Sequence, residues 1–124
     1  MTKGGRARLL DASAAQPGSR LGRRSLLCAL VAFLLAVVGI GGFAATPADA
    51  PEIVKDVSTV SFMVLFLVAA PAIHIFGILL GLTALFRVGD SKGLALLGTL
   101  LNLILILAGA GLVYAGLQGM ASFT

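Results

Sequence analysis

The chain has 124 residues, of which 59% are hydrophobic and only 11% charged, against about 45–50% and about 25% in ordinary globular chains. Residues 25–46, 57–86 and 93–124 contain no Asp, Glu, Lys or Arg and occupy 84 of the positions. That leaves too little charge for a water-facing exterior, which disfavours a soluble enzyme, a nucleic-acid-binding domain and a disordered chain. The expectation is an all-α integral membrane protein with three transmembrane helices and a disordered basic N-terminal tail.

Residues 1–22, rich in Gly, Ala, Ser and Arg and broken by Pro17, lack periodicity and are expected to form that tail, with residues 23–124 as the membrane domain. Six of the nine cations (Lys3, Arg6, Arg8, Arg20, Arg23 and Arg24) precede the first apolar run, with no aromatic residue among them to stack on bases. A basic flank beside a span is an orientation signal and a contact for anionic headgroups, worth about 1 kcal/mol per cation. Nucleic acid is not an expected partner.

The first helix is expected over about 25–46, since about 20 residues cross a hydrocarbon core of about 30 Å; Pro47 stops it. A competing interpretation is an export signal. Arg23-Arg24-Ser25-Leu26-Leu27 has a twin-arginine look, and Ala48-Asp49-Ala50 has the small-x-small form of a cleavage site. Pro51 would then occupy the first mature position, where peptidases tolerate proline badly, so a retained helix is favoured. Cys28 precedes the apolar core, which excludes a lipoprotein site, and a single cysteine cannot form an internal disulfide.

The second helix is expected over about 58–86. The uncharged run 57–86 would be about 45 Å long if helical throughout, so it should tilt or kink. Pro71 supplies the means, lacking an N–H for the Leu67 carbonyl and crowding that turn. The third helix is expected over about 93–117. Strands are a poor alternative, because the runs are continuous rather than alternating and longer than barrel segments of about 10 residues. Arg87 and Lys92 join Arg20, Arg23 and Arg24 as candidate headgroup contacts. The loop between the first two helices carries Asp49, Glu52 and Asp56 against Lys55. The positive-inside rule therefore places the N-terminus and the second loop in the cytoplasm and the C-terminus outside a cell (cytoplasmic) membrane.

Residues Pro71-Ala72-Ile73-His74-Ile75-Phe76-Gly77-Ile78-Leu79-Leu80-Gly81-Leu82-Thr83-Ala84-Leu85-Phe86-Arg87 are followed, after a short polar turn, by Lys92-Gly93-Leu94-Ala95-Leu96-Leu97-Gly98, two segments built from common membrane residues. Together they resemble small uncharacterised bacterial helical-hairpin membrane domains with a Pro…Gly-xxx-Gly-xx-Ala-Leu-x-Arg first helix and a Gly-Leu-Ala-xx-Gly second helix. The resemblance covers about residues 68–116. His74 stands where an aliphatic residue is expected, and the turn is shorter and less basic. The resemblance implies a helical hairpin and no particular activity.

Gly77 and Gly81 are four apart, with Ala70, His74 and Ala84 on the same helical stripe. Gly111, Ala115 and Gly119 form a second small-residue ladder. Lipid tails give helices no hydrophobic reason to associate, so spans join where small residues let backbones approach. Gly77, Gly81 and Ala84 are expected to form a seam within the hairpin. Gly111 and Ala115 serve either such a seam or a contact between copies.

His74, the only histidine, invites a proton-relay reading. A relay needs further titratable groups, and the apolar runs hold only Cys28 and Tyr114. A neutral imidazole bonded to another span is the simpler expectation. Asn102 is the candidate partner, because His74 is 13 residues from Arg87 and Asn102 is 10 from Lys92. Both should lie near the midplane, within about 5 Å of each other in depth.

No catalytic residue, metal site or cofactor site is expected from one histidine, one cysteine and five acids outside the apolar runs. The expected role is structural or interactive, without catalysis. The expected partners are the lipid bilayer, anionic headgroups, and a second copy or a larger membrane protein. An accessory subunit of a transporter or respiratory complex and a holin-like pore are the alternatives.

Overall fold

The computed structural model describes residues 20–122; the expected basic tail falls outside them except for its last three positions. Among the described residues all regular structure is helical, with no strand, and three helices are long and apolar enough to cross a membrane. The protein is a multi-pass membrane protein.

Helix α1, Leu21–Ala44, begins four residues earlier than its uncharged run. Arginine is a good helix former, so Arg23 and Arg24 join the first turn instead of marking its boundary. At the other end the Ala45 N–H bonds to the Gly41 carbonyl at 2.9 Å and the Thr46 N–H to the Phe43 carbonyl at 3.2 Å. Pro47 follows, with no N–H to continue the ladder.

The second span starts at Glu52 rather than near residue 58. Helix α2, Glu52–Phe62, follows Pro51. Glu52 lies in its first turn, where a negative charge offsets the helix dipole, and pairs with Lys55 at 3.3 Å. Glu52, Lys55 and Asp56, which look like loop in the sequence, thus lie in a solvated helical turn, while Asp49 stays in the connection before Pro51. A π-helical segment, Met63–Ala69, follows, and the Ala70 N–H reaches back five residues to the Leu65 carbonyl. Helix α3, Ala70–Phe86, has Pro71 in its first turn. The wider π turn lies just where the proline ring would crowd an α-helical carbonyl, so the irregularity precedes Pro71 and the span continues. From Glu52 to Phe86 it runs 35 residues, about 52 Å, which requires tilt or projection beyond the core.

Arg87 is extended, and Gly89 has φ 93°, a conformation glycine adopts without a Cβ clash. The Ser91 side chain then caps helix α4, Lys92–Ala121, accepting from the Leu94 N–H at 3.4 Å. Helix α4 continues four residues past the expected 117, since nothing charged or prolyl stops it.

The packing is inverted relative to a soluble protein. The buried positions are small or polar: Ala29, Ala32, Ala70, Ala84, Ala95, Ser25, His74 and Asn102, with Phe66 the only large apolar residue among them. Large apolar residues such as Leu27, Phe33, Phe76, Leu79 and Ile104 face outward, which suits lipid as solvent. The bundle has a basic end, with the start of α1 and the α3–α4 turn, and an acidic end, with the α1–α2 loop. Helices α1, α3 and α4 pack together towards the basic end. Towards the acidic end, α1 packs on α2 and the π segment. There the Phe43 and Phe62 rings lie 5.1 Å apart, Phe62 and Phe66 lie 5.3 Å apart, and the Thr46 and Ser58 hydroxyls bond at 2.7 Å. Beyond residue 110, α4 is exposed all round.

Candidate functional site

Asn102 sits where α1, α3 and α4 meet, with no exposed surface. Its amide nitrogen donates to the Gly98 carbonyl one turn back at 2.7 Å and to the Ser25 carbonyl of α1 at 2.9 Å. Two carbonyl acceptors can be served only by the NH2 end of the amide, which fixes the side-chain orientation and turns Oδ1 the other way. Oδ1 lies 2.9 Å from Nδ1 of His74 on α3. A carbonyl oxygen accepts and cannot donate, so Nδ1 carries the hydrogen; in the neutral ring Nε2 is then a lone-pair acceptor. Ser25 Oγ donates to the Gly77 carbonyl at 2.7 Å. The bonds form a circuit in which α1 donates to α3, α3 to α4, and α4 back to α1.

Glycines make room for this circuit. A Cβ on Gly77 would stand 2.6 to 2.8 Å from the Asn102 amide atoms. One on Gly98 would stand 2.6 Å from Ser25 Oγ and 2.8 Å from the Leu26 backbone nitrogen. One on Gly81 would strike Thr99 Oγ1, with Ser25 Oγ at 2.8 Å. Gly22 likewise lies against the Ala95 backbone. An interhelical bond in a membrane contributes only about 0.6 kcal/mol on average, whereas a polar group stranded in hydrocarbon costs several. The circuit's value is that it leaves none of these donors stranded.

The structure brings together His74, Asn102, Gly77 and Gly81, with Ala84 buried on the same stripe. It does not bring Gly111 or Ala115 into any seam of the bundle. Both are exposed, and a Cβ on Gly111 would meet nothing within 4 Å, because α2 packs on α1 and leaves that end of α4 alone. On α1 the circuit lies near the basic end of the helix, which begins at Leu21. Ser25 follows Arg24 directly, so the α1 arginines sit deeper than Lys92, with exposed side chains that can extend towards water. Arg20 and Arg87 are exposed too. Lys92 is engaged otherwise: its ammonium donates to the carbonyls of Ala84 at 3.3 Å, Arg87 at 2.6 Å and Leu85, capping the negative end of α3.

Ser25 and Gly22 escaped sequence reasoning, and Gly98 entered it only through the hairpin resemblance, not as a packing contact. The spacings Ser25-Ala29-Ala32 and Ala95-Gly98-Asn102, both small residues three or four apart, are the signals that carry them. Asp90 escaped as well. Only 7% exposed, it has both carboxylate oxygens buried and unpartnered among the described residues.

Beside the circuit, a cleft of about 370 Å³ separates the π segment and α3 from α4. Phe66, Ala70 and Pro71 form one wall, Ile106 and Gly109 the other, and His74 lies at the end nearest the circuit. No family model, curated protein or solved structure matches this chain. The chemistry must therefore be read from the residues alone. Among the described residues no group of three His, Cys, Asp or Glu side chains could hold a metal ion.

Proposed function

We propose that the protein is a structural or interaction module of the cytoplasmic membrane, without catalysis of its own, whose partner binds along α4. The observation that carries this is the contrast between the two ends of α4. Near the basic end Ala95, Gly98 and Asn102 are buried against α1 and α3. From residue 111 onward it stands exposed, with Gly111, Ala115 and Gly119 on one side and open space around both glycines. Such a ladder lets another helix approach closely, and α4 at 30 residues, about 45 Å, reaches across the bilayer to present it. The partner is a second copy or a larger membrane protein to which this chain is accessory. Arg20, Arg23, Arg24 and Arg87, exposed at the basic end, suit anionic headgroups on the cytoplasmic side.

A photo-crosslinking residue at Gly111 in cell membranes tests the proposal. An adduct of twice the chain's mass identifies a second copy, and one discrete larger adduct identifies a host complex. Gly111→Leu in the crosslinked partner face, with the crosslinker moved to Ala115, should reduce either adduct severalfold. Crosslinking to lipid alone would overturn the proposal.

A further inference from the structure

We infer that the cleft beside His74 binds a membrane-dissolved molecule that is apolar except for one hydroxyl, which donates its hydrogen to His74 Nε2. Three observations converge on this. First, His74 is only 4% exposed and lines the cleft. Its Nδ1 hydrogen is committed to Asn102 Oδ1, and that amide is pinned by the Gly98 and Ser25 carbonyls. In the neutral ring Nε2 is therefore an acceptor, and it has no partner among the described residues. Second, the side chains of the walls are apolar apart from Tyr114, which sits at the far end, away from His74, where its hydroxyl oxygen accepts from Gln118 Nε2 at 3.0 Å. Third, about 370 Å³ lies within the usual range of small-molecule sites, which combine apolar walls with a few placed polar groups.

The chemistry of the occupant follows from the single acceptor. A water molecule needs two to four polar partners to be held, and His74 is the one polar side chain lining that end of the cleft. A hydroxyl on an apolar body needs only that one, and its body fills the walls that water would leave dry. A ketone or ether of the same shape brings an acceptor against an acceptor and leaves Nε2 unsatisfied, the situation in which polar sites discriminate most strongly. The cleft runs along α4 from Leu105 to Leu117, about 18 Å, so a slender aliphatic chain fits its length. This site is on the opposite side of α4 from Gly111 and Ala115 at 3.6 residues per turn, so it is independent of the partner face proposed above.

The full chain in lipid nanodiscs permits a direct test, because it has one histidine, one tyrosine and no tryptophan. With nitrogen-15-labelled histidine, 1-decanol should move the Nε2 resonance upfield as it accepts a hydrogen bond. The methyl ether of decanol, at equal mole fraction in the bilayer, should leave it in place. The same pair brominated at the far carbon should quench Tyr114 fluorescence, the alcohol with about three- to tenfold higher apparent affinity than the ether, as one net hydrogen bond implies. In His74→Phe, which keeps the ring and loses the acceptor, the preference should vanish while weak quenching by both remains. Equal responses to alcohol and ether in the wild-type protein would overturn the inference. So would an Nε2 resonance already upfield in the absence of alcohol and unmoved by it, the mark of a firmly held water. The wild-type comparison decides the matter even if the variant fails to fold.

Discussion

Gly77 shows what a single hydrogen atom in place of a methyl group does in this bundle. Its missing Cβ is the space in which the Asn102 amide sits, and that amide cannot retreat while two carbonyls and an imidazole hold it. Gly77→Ala is therefore expected to cost about 1–3 kcal/mol, the range of overpacking in a filled core. Gly111→Ala meets nothing and should be neutral or stabilising by up to about 1 kcal/mol, because alanine favours helix over glycine. Thermal unfolding in mild detergent, followed by far-UV circular dichroism, distinguishes the two. Equal effects would mean that the circuit does not set the packing distance. Pinning the amide also raises the cost of losing the imidazole. An asparagine free to rotate could find another partner cheaply, whereas here His74→Leu strands Oδ1 in a site with no exposed surface. The destabilisation should exceed the roughly 0.6 kcal/mol of an average membrane hydrogen bond. Unfolding midpoints of His74→Leu and of the double variant with Asn102→Leu measure this, and the double variant should recover part of the loss, since replacing both partners leaves nothing unpaired.

The three spans could be read from the sequence because the absence of charge over 20 or more residues is a property of composition and needs no partner. The His74–Asn102 pair could be read too, since counting residues from Arg87 and Lys92 gives relative depth along α3 and α4. The place of α1 could not. Counting residues ranks depth along a helix and says nothing about which helix is a neighbour, and the arginines before the first apolar run suggest a boundary where the helix in fact continues. Ser25 and Gly98, which look like ordinary small residues near span ends, are for that reason the contacts that sequence reasoning missed. Their arrangement bears on processing. Helix α1 supplies the carbonyl that takes one Asn102 hydrogen and the hydroxyl that reaches Gly77. Cleavage after Ala50 would remove both and expose the glycine-lined groove on α3 and α4. The chain purified from membranes is expected to retain residues 21–44, as intact-mass spectrometry would show. A mature N-terminus at Pro51 would mean that α1 is an export signal.

At the scale of the whole molecule, the fold gathers the arginines and Lys92 of the described residues at one end and three of their four acids at the other, with Asp90 the acid that stays at the basic end. Arg20, Arg23, Arg24, Arg87 and Lys92 all gather where α1 begins and α3 turns into α4, and Gly22 against the Ala95 backbone ties the two segments together. Asp49, Glu52 and Asp56 gather at the other end, with Lys55 bonded to Glu52 at 3.3 Å. Lys92 is held by the α3 carbonyls, so it is a fixed charge at the helix end rather than a mobile headgroup contact. Since positive charge close to span ends resists translocation, the basic end should stay in the cytoplasm. With three spans, the C-terminus then emerges on the other side. Alkaline phosphatase, active only after export, is expected to be active when fused after Thr124 and inactive when inserted at Asp90, and a cytoplasm-dependent reporter should give the reverse pattern. Substituting Arg20, Arg23 and Arg24 by Gln should weaken this bias and yield a mixed population, whereas Lys92→Gln should mainly lower thermal stability through the lost α3 cap. Alkaline phosphatase that is silent at Thr124 and active at Asp90 would require the bundle to be inverted, with the arginines of α1 facing away from the cytoplasm.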